Sequence, residues 1–269
     1  MRSSAVRTKL RYARRATVSL GALMLVAVAA GPAFAAGCAF ESLGEGRVAA
    51  VIDARSFRLE DGREVRLAGI EPAGASRSAA ELVRALVSML AGQDVRLRGE
   101  DDSPDRYGRQ QAYVWRLPDE TLVQGELLAQ GKAIVAATVV DRECAGTLMA
   151  AEASAREAKR GIWADPSAIK NAESPGDILA GTGRFTLVEG KVLSVRQTGA
   201  TTYLNFGQNW TRDFAVTIPR RALANLAAAG LEPKSLENKR VRVRGFVEVR
   251  TGPRIEVLRA GQIERLGEN

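Results

Sequence analysis

The chain contains no histidine. That excludes Ser-His-Asp triads, histidine general bases and imidazole-held metal centres. Two cysteines in 269 residues cannot furnish a four-ligand zinc site. Aromatic residues are scarce, at 5%, but 46% of the chain is apolar, enough for one large or two small buried cores. Acidic residues are absent from the first 35 positions, which hold six basic ones. The apolar run "ATVSLGALMLVAVAAG" stops at Gly31-Pro32, short of the ~18 to 20 residues that a membrane span needs. What is present there reads as a secretory signal: a basic "MRSSAVRTKLRYARR", the apolar run, then the small-x-small site Ala33–Ala35. Cleavage near Ala35 is expected, with an uncleaved anchor as the alternative. It would reduce the formal charge of +8 to +2 and leave no transmembrane span in the mature chain.

Export to a periplasmic or extracellular space places Cys38 and Cys144 in an oxidising compartment, where an even pair predicts one disulfide. The rival reading makes Cys38 the lipidated residue of "AAGC". Ala35 then stands where such signals usually carry Leu, and Cys144 is left as a free thiol.

Along the mature chain, "GRVAAVI", "SFRLE" and "EVRLAGI" alternate apolar and polar residues and predict three strands, with "EDGR" as a tight turn. "SAAELVRALVSMLAG" has helical spacing and ends at Gly92. "QDVRLRGE" and "QAYVWRL" predict two further strands, and "TLVQGELLAQGKA" a short helix. "RECAGTLMAAEASAREAKRGIW" predicts a long helix stopping at Gly161. This order suits a small closed five-stranded barrel, with Trp115, Leu127, Leu128 and Trp163 in its core.

Residues 166–183 mix Pro, Gly, Ser and Asp without a period and read as a linker. Residues 184–269 predict a second β-rich unit of five strands and one helix. Its opening "EGKVLSV" parallels "EGRVAAV" of the first unit. Charge separates the two: residues 38–165 carry 17 basic and 21 acidic residues, whereas 166–269 carry 16 and 10. The second unit is the basic one. Arg240, Arg242 and Arg244 share one face of a predicted strand, opposite Val241 and Val243, and "YLNFGQNW" supplies Tyr203, Phe206 and Trp210. Basic strand faces with aromatics suit single-stranded nucleic acid; a solvated strand face over an aromatic core is the structural alternative.

Five dispersed stretches occur in order between about 45 and 165: "VIDARSFRL", "VRLAGIEP", "DRYGRQQAYVW", "LLAQGKAIV" and "AEASAREAKRGIW". In these the chain resembles the staphylococcal nuclease (thermonuclease) family. The resemblance implies an OB-type barrel with helices, and hydrolysis of DNA or RNA phosphodiesters with one calcium ion. It implies a phosphate clamp of Arg66 and Arg109; Tyr107 either stacks on a base or covers the barrel. In-line displacement at phosphorus builds charge on equatorial oxygens, which a planar guanidinium fork meets bidentately.

The departures fall on the metal and the base. The family's V-I-D-G-D-T is V-I-D-A-R-S here, so Arg55 replaces a calcium-binding aspartate while Asp53 stays. Glu71 takes the place of the second metal-binding aspartate. The family's Pro-Glu pair becomes Ala73-Gly74, so Gly74 stands where the carboxylate base belongs. Two carboxylates are a poor cage for a hard cation, and no cofactor is expected. Arg55 is expected to pair with Glu71 or Asp53. The second unit resembles, through less specific motifs, OB-type domains of the tRNA-anticodon-binding-like class.

The sequence thus predicts a mainly β, α+β protein: a degenerate nuclease-like OB barrel followed by a smaller, basic OB-like barrel. Nucleic acid or nucleotide phosphates are the expected partners, with weak or absent cleavage. The alternatives are a working phosphodiesterase with an altered site, and an envelope interaction module.

Overall fold

The computed structural model describes residues 36–72 and 76–267. The signal-peptide reading of residues 1–35 lies outside the described residues, as do Ala73, Gly74 and Ala75. Among the described residues no helix is long and apolar enough to cross a membrane.

The first unit runs β1 (Glu41–Val51), β2 (Ser56–Leu59), β3 (Glu64–Leu67), β4 (Ile70–Glu71), α1 (Ser76–Leu90), β5 (Asp94–Gly99), β6 (Gln110–Arg116), β7 (Thr121–Leu122), α2 (Val123–Ala129), β8 (Ile134–Val135) and α3 (Arg142–Glu157). The sheet order β3-β2-β1-β5-β6 closes on itself through parallel pairing of β3 with β6. This is a five-stranded barrel, as the sequence pattern predicts. Alternate strand positions fill it: Phe57, Leu59, Val65, Leu67, Val95, Leu97, Ala112 and Val114 are all buried. The predicted strand "EVRLAGI" is interrupted, because Gly69 adopts φ +76° between β3 and β4. β4 then leaves the barrel and pairs with β8.

The helices seal the barrel with apolar stripes. α1 buries Leu82, Leu86, Met89 and Leu90, the i, i+4, i+7, i+8 spacing of one face. α2 is pinned by buried Gln124, whose amide donates to Ala112 O at 2.9 Å and whose oxygen accepts from Val114 N at 3.1 Å. Asp141 caps α3 by accepting from Cys144 N at 2.7 Å. Cys38 and Cys144 form a disulfide that ties the segment before β1 to the first turn of α3. α3 ends at Glu157, short of the predicted Gly161, because Lys159 takes a left-handed φ of 51°.

The stretch read as a linker is ordered. β9 (Ile169–Asn171) pairs in parallel with β10 (Phe185–Lys191), and α4 (Pro175–Leu179) lies between them in sequence. The second unit continues with β11 (Ser194–Thr198), β12 (Thr201–Asn205), β13 (Ala215–Pro219), α5 (Arg220–Ala228), β14 (Arg240–Val249), β15 (Pro253–Glu256) and β16 (Ile263–Arg265). Its strands run β11-β12-β13-β15-β14-β10-β9, with β16 on β14. Eight strands replace the five expected: β9 is borrowed from the linker, the first expected strand divides into β10 and β11, and the last divides into β15 and β16. Val188, Leu204, Phe206, Phe214, Val216, Ile218, Val241, Val243 and Ile255 form its core.

The two sheets share a small apolar seam of Ile134, Ala155 and Trp163 against Phe185 and Leu187. Beside it runs a chain of charges. Arg244 of β14 is fully buried, and its Nη1 and Nη2 each donate to the equally buried Glu152 of α3 at 3.0 Å. Nη1 also donates to Val135 O at 3.1 Å, and Nη2 pairs with Glu264. Arg242 is held by Glu189 at 2.6 Å and Glu264 at 3.0 Å. This corrects the expectation of an open basic strip: of Arg240, Arg242 and Arg244, only Arg240 is exposed. The shared strand face is real, but Glu152 of α3 and the flanking Glu189 and Glu264 of β10 and β16 take up its arginines.

Candidate phosphate site

The site lies on the β2–β3 hairpin and the turn before β6. Val65 and Leu67 point into the barrel, so Arg66 between them points out. Arg66 is paired with Ser56 on one side and Gln111 on the other. The loop before β2 is fixed by its backbone. Ile52 N and Asp53 N both donate to Ser56 O, and Leu67 N donates to Arg55 O at 2.7 Å. Asp53 turns its carboxylate inward to accept from Arg55 N at 2.7 Å.

Arg55 then reaches across to β4. Its Nη1 donates to Ile70 O at 3.3 Å and forms an ion pair with Glu71. Both side chains are largely buried. Burial pushes the Glu71 carboxyl above its ordinary range, while Arg55 and, more weakly, Arg66 pull it back.

Arg109 is set by a turn that Asp105 organises. One Asp105 oxygen accepts from Tyr107 N at 2.8 Å and Arg109 N at 3.1 Å. The other accepts from Arg109 Nε at 3.0 Å and Nη2 at 2.7 Å. Gly108 supplies the φ of +78° that the turn demands. These bonds, the Arg109 side chain foremost, hold the Asp105 carboxyl down to about 2. Tyr107 is 65% exposed and is flanked by the guanidiniums of Arg106 and Arg109, at 4.8 and 4.9 Å from its ring centre.

Arg66 differs from its neighbours. Among the described residues it makes no side-chain hydrogen bond and no salt bridge, although it is half-buried. Its hold on the proton is weakened first by burial, then by the cations Arg55 and Arg109, with Glu71 and Asp53 acting the other way. The cluster therefore brings together Asp53, Arg55, Arg66, Glu71 and Arg109, with Tyr107 at its edge. Its uncommitted donors are those of Arg66 and the free edge of Arg109. An anion is the species this field favours.

Calcium, which the resemblance implies, does not fit the residues present. Glu71 faces a guanidinium, and Asp53 accepts a backbone N–H on Oδ1, which leaves too few oxygens for a cation that wants six or more. Among the described residues no group of three or more Asp, Glu, His or Cys side chains is placed to hold a metal ion. A cavity of about 710 Å³ lies elsewhere, at the seam between the sheets near Trp163 and Phe185, and includes none of the clustered arginines.

Two functional or structural carboxylates escape the sequence reading. Asp105 orients Arg109, and its signal is the first letter of "DRYGR". Glu152 anchors Arg244, and its signal is an acidic residue on the apolar stripe of α3 formed by Leu148, Ala151 and Ala155.

Residues 74–165 match the family described as staphylococcal nuclease homologue. Asp105 and Arg109 fall inside the matched span; Asp53, Arg55, Arg66 and Glu71 precede it. No curated protein matches the chain. The first unit is thus similar to the staphylococcal nuclease homologue family over residues 74–165, and its closed five-stranded barrel is consistent with an OB-like fold.

Proposed function

We propose that this exported protein binds nucleic acid or nucleotide phosphates through Arg66 and Arg109, with weak or absent phosphodiesterase activity. The observation that carries this reading is the division of labour among the arginines. Arg55 neutralises Glu71 and takes its carboxylate away from any cation, while Arg66 has no partner among the described residues and keeps its guanidinium fan free. A phosphate oxygen pair is the acceptor such a fan fits bidentately. Tyr107 offers an exposed aromatic face beside it for a base.

Cleavage needs more than a clamp. A lost general base reduces rate by roughly 10²- to 10⁴-fold, and a lost metal removes several kcal/mol of charge stabilisation on top. The sequence places Gly74 at the base position, and no group in the described cluster is free to replace it.

The test uses residues 36–269 and a labelled single-stranded oligonucleotide. Binding by anisotropy is expected to be equal with calcium and with EDTA, and to weaken with salt. Removing Arg66 and Arg109 together is expected to weaken it by at least about tenfold. Strong calcium-dependent cleavage by the unaltered protein would refute the reading, and would mean that Asp53 and Glu71 exchange Arg55 for the metal.

A further inference from the structure

The expected aromatic trio of the second unit divides in space. Phe206 is core, at 3% exposure, whereas Tyr203 and Trp210 are outside it. Register shows where. Arg196 pairs with Tyr203, Tyr203 with Thr217, and Thr217 with Glu256. This is one row across β11, β12, β13 and β15, on the face opposite Leu204, Val216 and Ile255 of the core. Arg254 stands two residues before Glu256 on that same face, its guanidinium 5.6 Å from the Tyr203 ring centre. Thr201, Tyr203, Arg250 and Arg254 line a shallow depression of about 90 Å³.

Trp210 is 68% exposed, and it sits on a built loop rather than a loose one. Asn209 N donates to Asp213 Oδ2 at 2.8 Å, and Asn209 Oδ1 accepts from Thr211 N at 3.1 Å and Thr211 Oγ1 at 2.6 Å. Gly252 of the β14–β15 turn packs on the backbone of Arg212 and Asp213. The loop and that turn therefore form one edge, which presents Trp210, Arg212 and Arg250. Among the described residues the Arg212 and Arg250 side chains make no salt bridge or hydrogen bond. Two carboxylates share the area: Glu256 is paired with Arg221 at 3.0 Å, and Glu248 lies opposite Arg254. Arginines outnumber them.

We infer that this outer face of β11-β12-β13-β15 is a second nucleic-acid site, which takes single strands. Bases stack on Trp210 and Tyr203, and phosphates run past Arg196, Arg212, Arg250 and Arg254. A solvent-facing tryptophan on a braced loop, on the same edge as Arg212 and Arg250, suits a base with an attached phosphate, and Arg254, which donates to Thr251 Oγ1 at 2.8 Å, adds charge beside Tyr203. An acidic protein would use the arginines but not the ring. A duplex hides its base faces. The site is separate from the Arg66 cluster and does not depend on it.

The molecule carries its own reporter. Trp115 and Trp163 are buried, at 4% and 7%, so collisional quenching by acrylamide reads Trp210. In residues 36–269, saturating dT15 is expected to protect this tryptophan from acrylamide, and to do so equally in an Arg66→Ala, Arg109→Ala variant. By anisotropy, in the Arg66→Ala, Arg109→Ala background where the first site is removed, Tyr203→Ala or Trp210→Ala should each weaken the remaining dT15 binding by at least about fivefold. Arg212→Glu with Arg250→Glu should weaken it further and flatten its salt dependence. Three results would overturn the proposal. One is unchanged quenching when anisotropy shows dT15 bound, which places the strand elsewhere. Another is equal protection by polyglutamate, which makes the face a general polyanion or acidic-protein surface. The third is protection that disappears with Arg66 and Arg109, which leaves a single site in the first barrel.

Discussion

Replacing Arg244 with methionine should destabilise the protein by about 3 kcal/mol, the low end of the range for breaking a buried ion pair. The low end applies because neither carboxylate is left alone. Without Arg244, Glu152 keeps Arg156 Nη1 at 2.9 Å and Val135 N at 2.6 Å. Glu264 keeps Arg242 at 3.0 Å and Arg156 at 3.7 Å. Methionine fills much of the arginine stem's volume, so the loss is electrostatic rather than a cavity. Urea unfolding of residues 36–269 at neutral pH measures the loss directly. At about 2–4 °C per kcal/mol for a protein of this size, the melting temperature should fall by roughly 6–12 °C. Glu152→Leu added to Arg244→Met removes the buried carboxylate that has lost one of its two cations and should recover part of the loss, since an apolar replacement of a buried pair is often neutral. A single-variant loss below about 1 kcal/mol would refute the reasoning. It would mean that the Phe185–Trp163 seam holds the two sheets together without help from the charges.

Three further outcomes are expected. Cys38→Ser with Cys144→Ser opens a loop spanning 106 residues; the chain-entropy loss is about 4–5 kcal/mol, to be read as a shift of the urea midpoint in oxidised against reduced protein. A fragment of residues 184–269 should show no cooperative unfolding transition by circular dichroism, because it lacks the β9 edge and leaves Arg244 without Glu152; a stable, cooperatively folded fragment would contradict this. Glu264 supplies a pH signature: burial favours its protonated form, but Arg244, Arg242 and Arg156 outweigh burial and hold its carboxyl below the usual range. Its stabilisation is therefore present above the ordinary value of 4.5 and is lost as pH falls through the lower folded value, so Arg244→Met should move the acid-unfolding midpoint to higher pH.

The first barrel was legible because each of its strands carries its own alternation, and because turns at Gly62 and Gly92 punctuate the pattern. β9 was not legible. Three residues hold no period, and Ile169–Asn171 becomes a strand only by lying against β10. The R-V-R-V-R of β14 shows a different limit. Alternation tells which residues share a face, but not whether that face meets water. The answer lay 92 positions away, at Glu152. Arg55 was readable for the opposite reason: the metal-site aspartate it replaces lies beside Glu71, so an exchange of cation for guanidinium was the local expectation.

What separates a structural arginine from a ligand-facing one here is neither residue type nor burial, but how many of its five N–H donors are taken. Arg244 spends four bonds on Glu152, Val135 and Glu264. Arg109 spends two side-chain bonds on Asp105, and Arg55 is spent on Ile70 and Glu71. Arg66 spends none among the described residues, yet it is half-buried, and burial together with the two like charges beside it weakens its hold on the proton. In the free protein that arrangement is unfavourable, and a bound anion would relieve it. Arg66→Met should therefore leave the urea midpoint unchanged or raise it, by up to about 1 kcal/mol, while weakening phosphate-dependent binding. The same substitution at Arg109 should lower stability, because Asp105 loses both of the charge-assisted bonds that the Arg109 side chain makes to it. If Arg66→Met destabilises as much as Arg109→Met, then Arg66 has structural partners in the protein, and the phosphate clamp loses its first member.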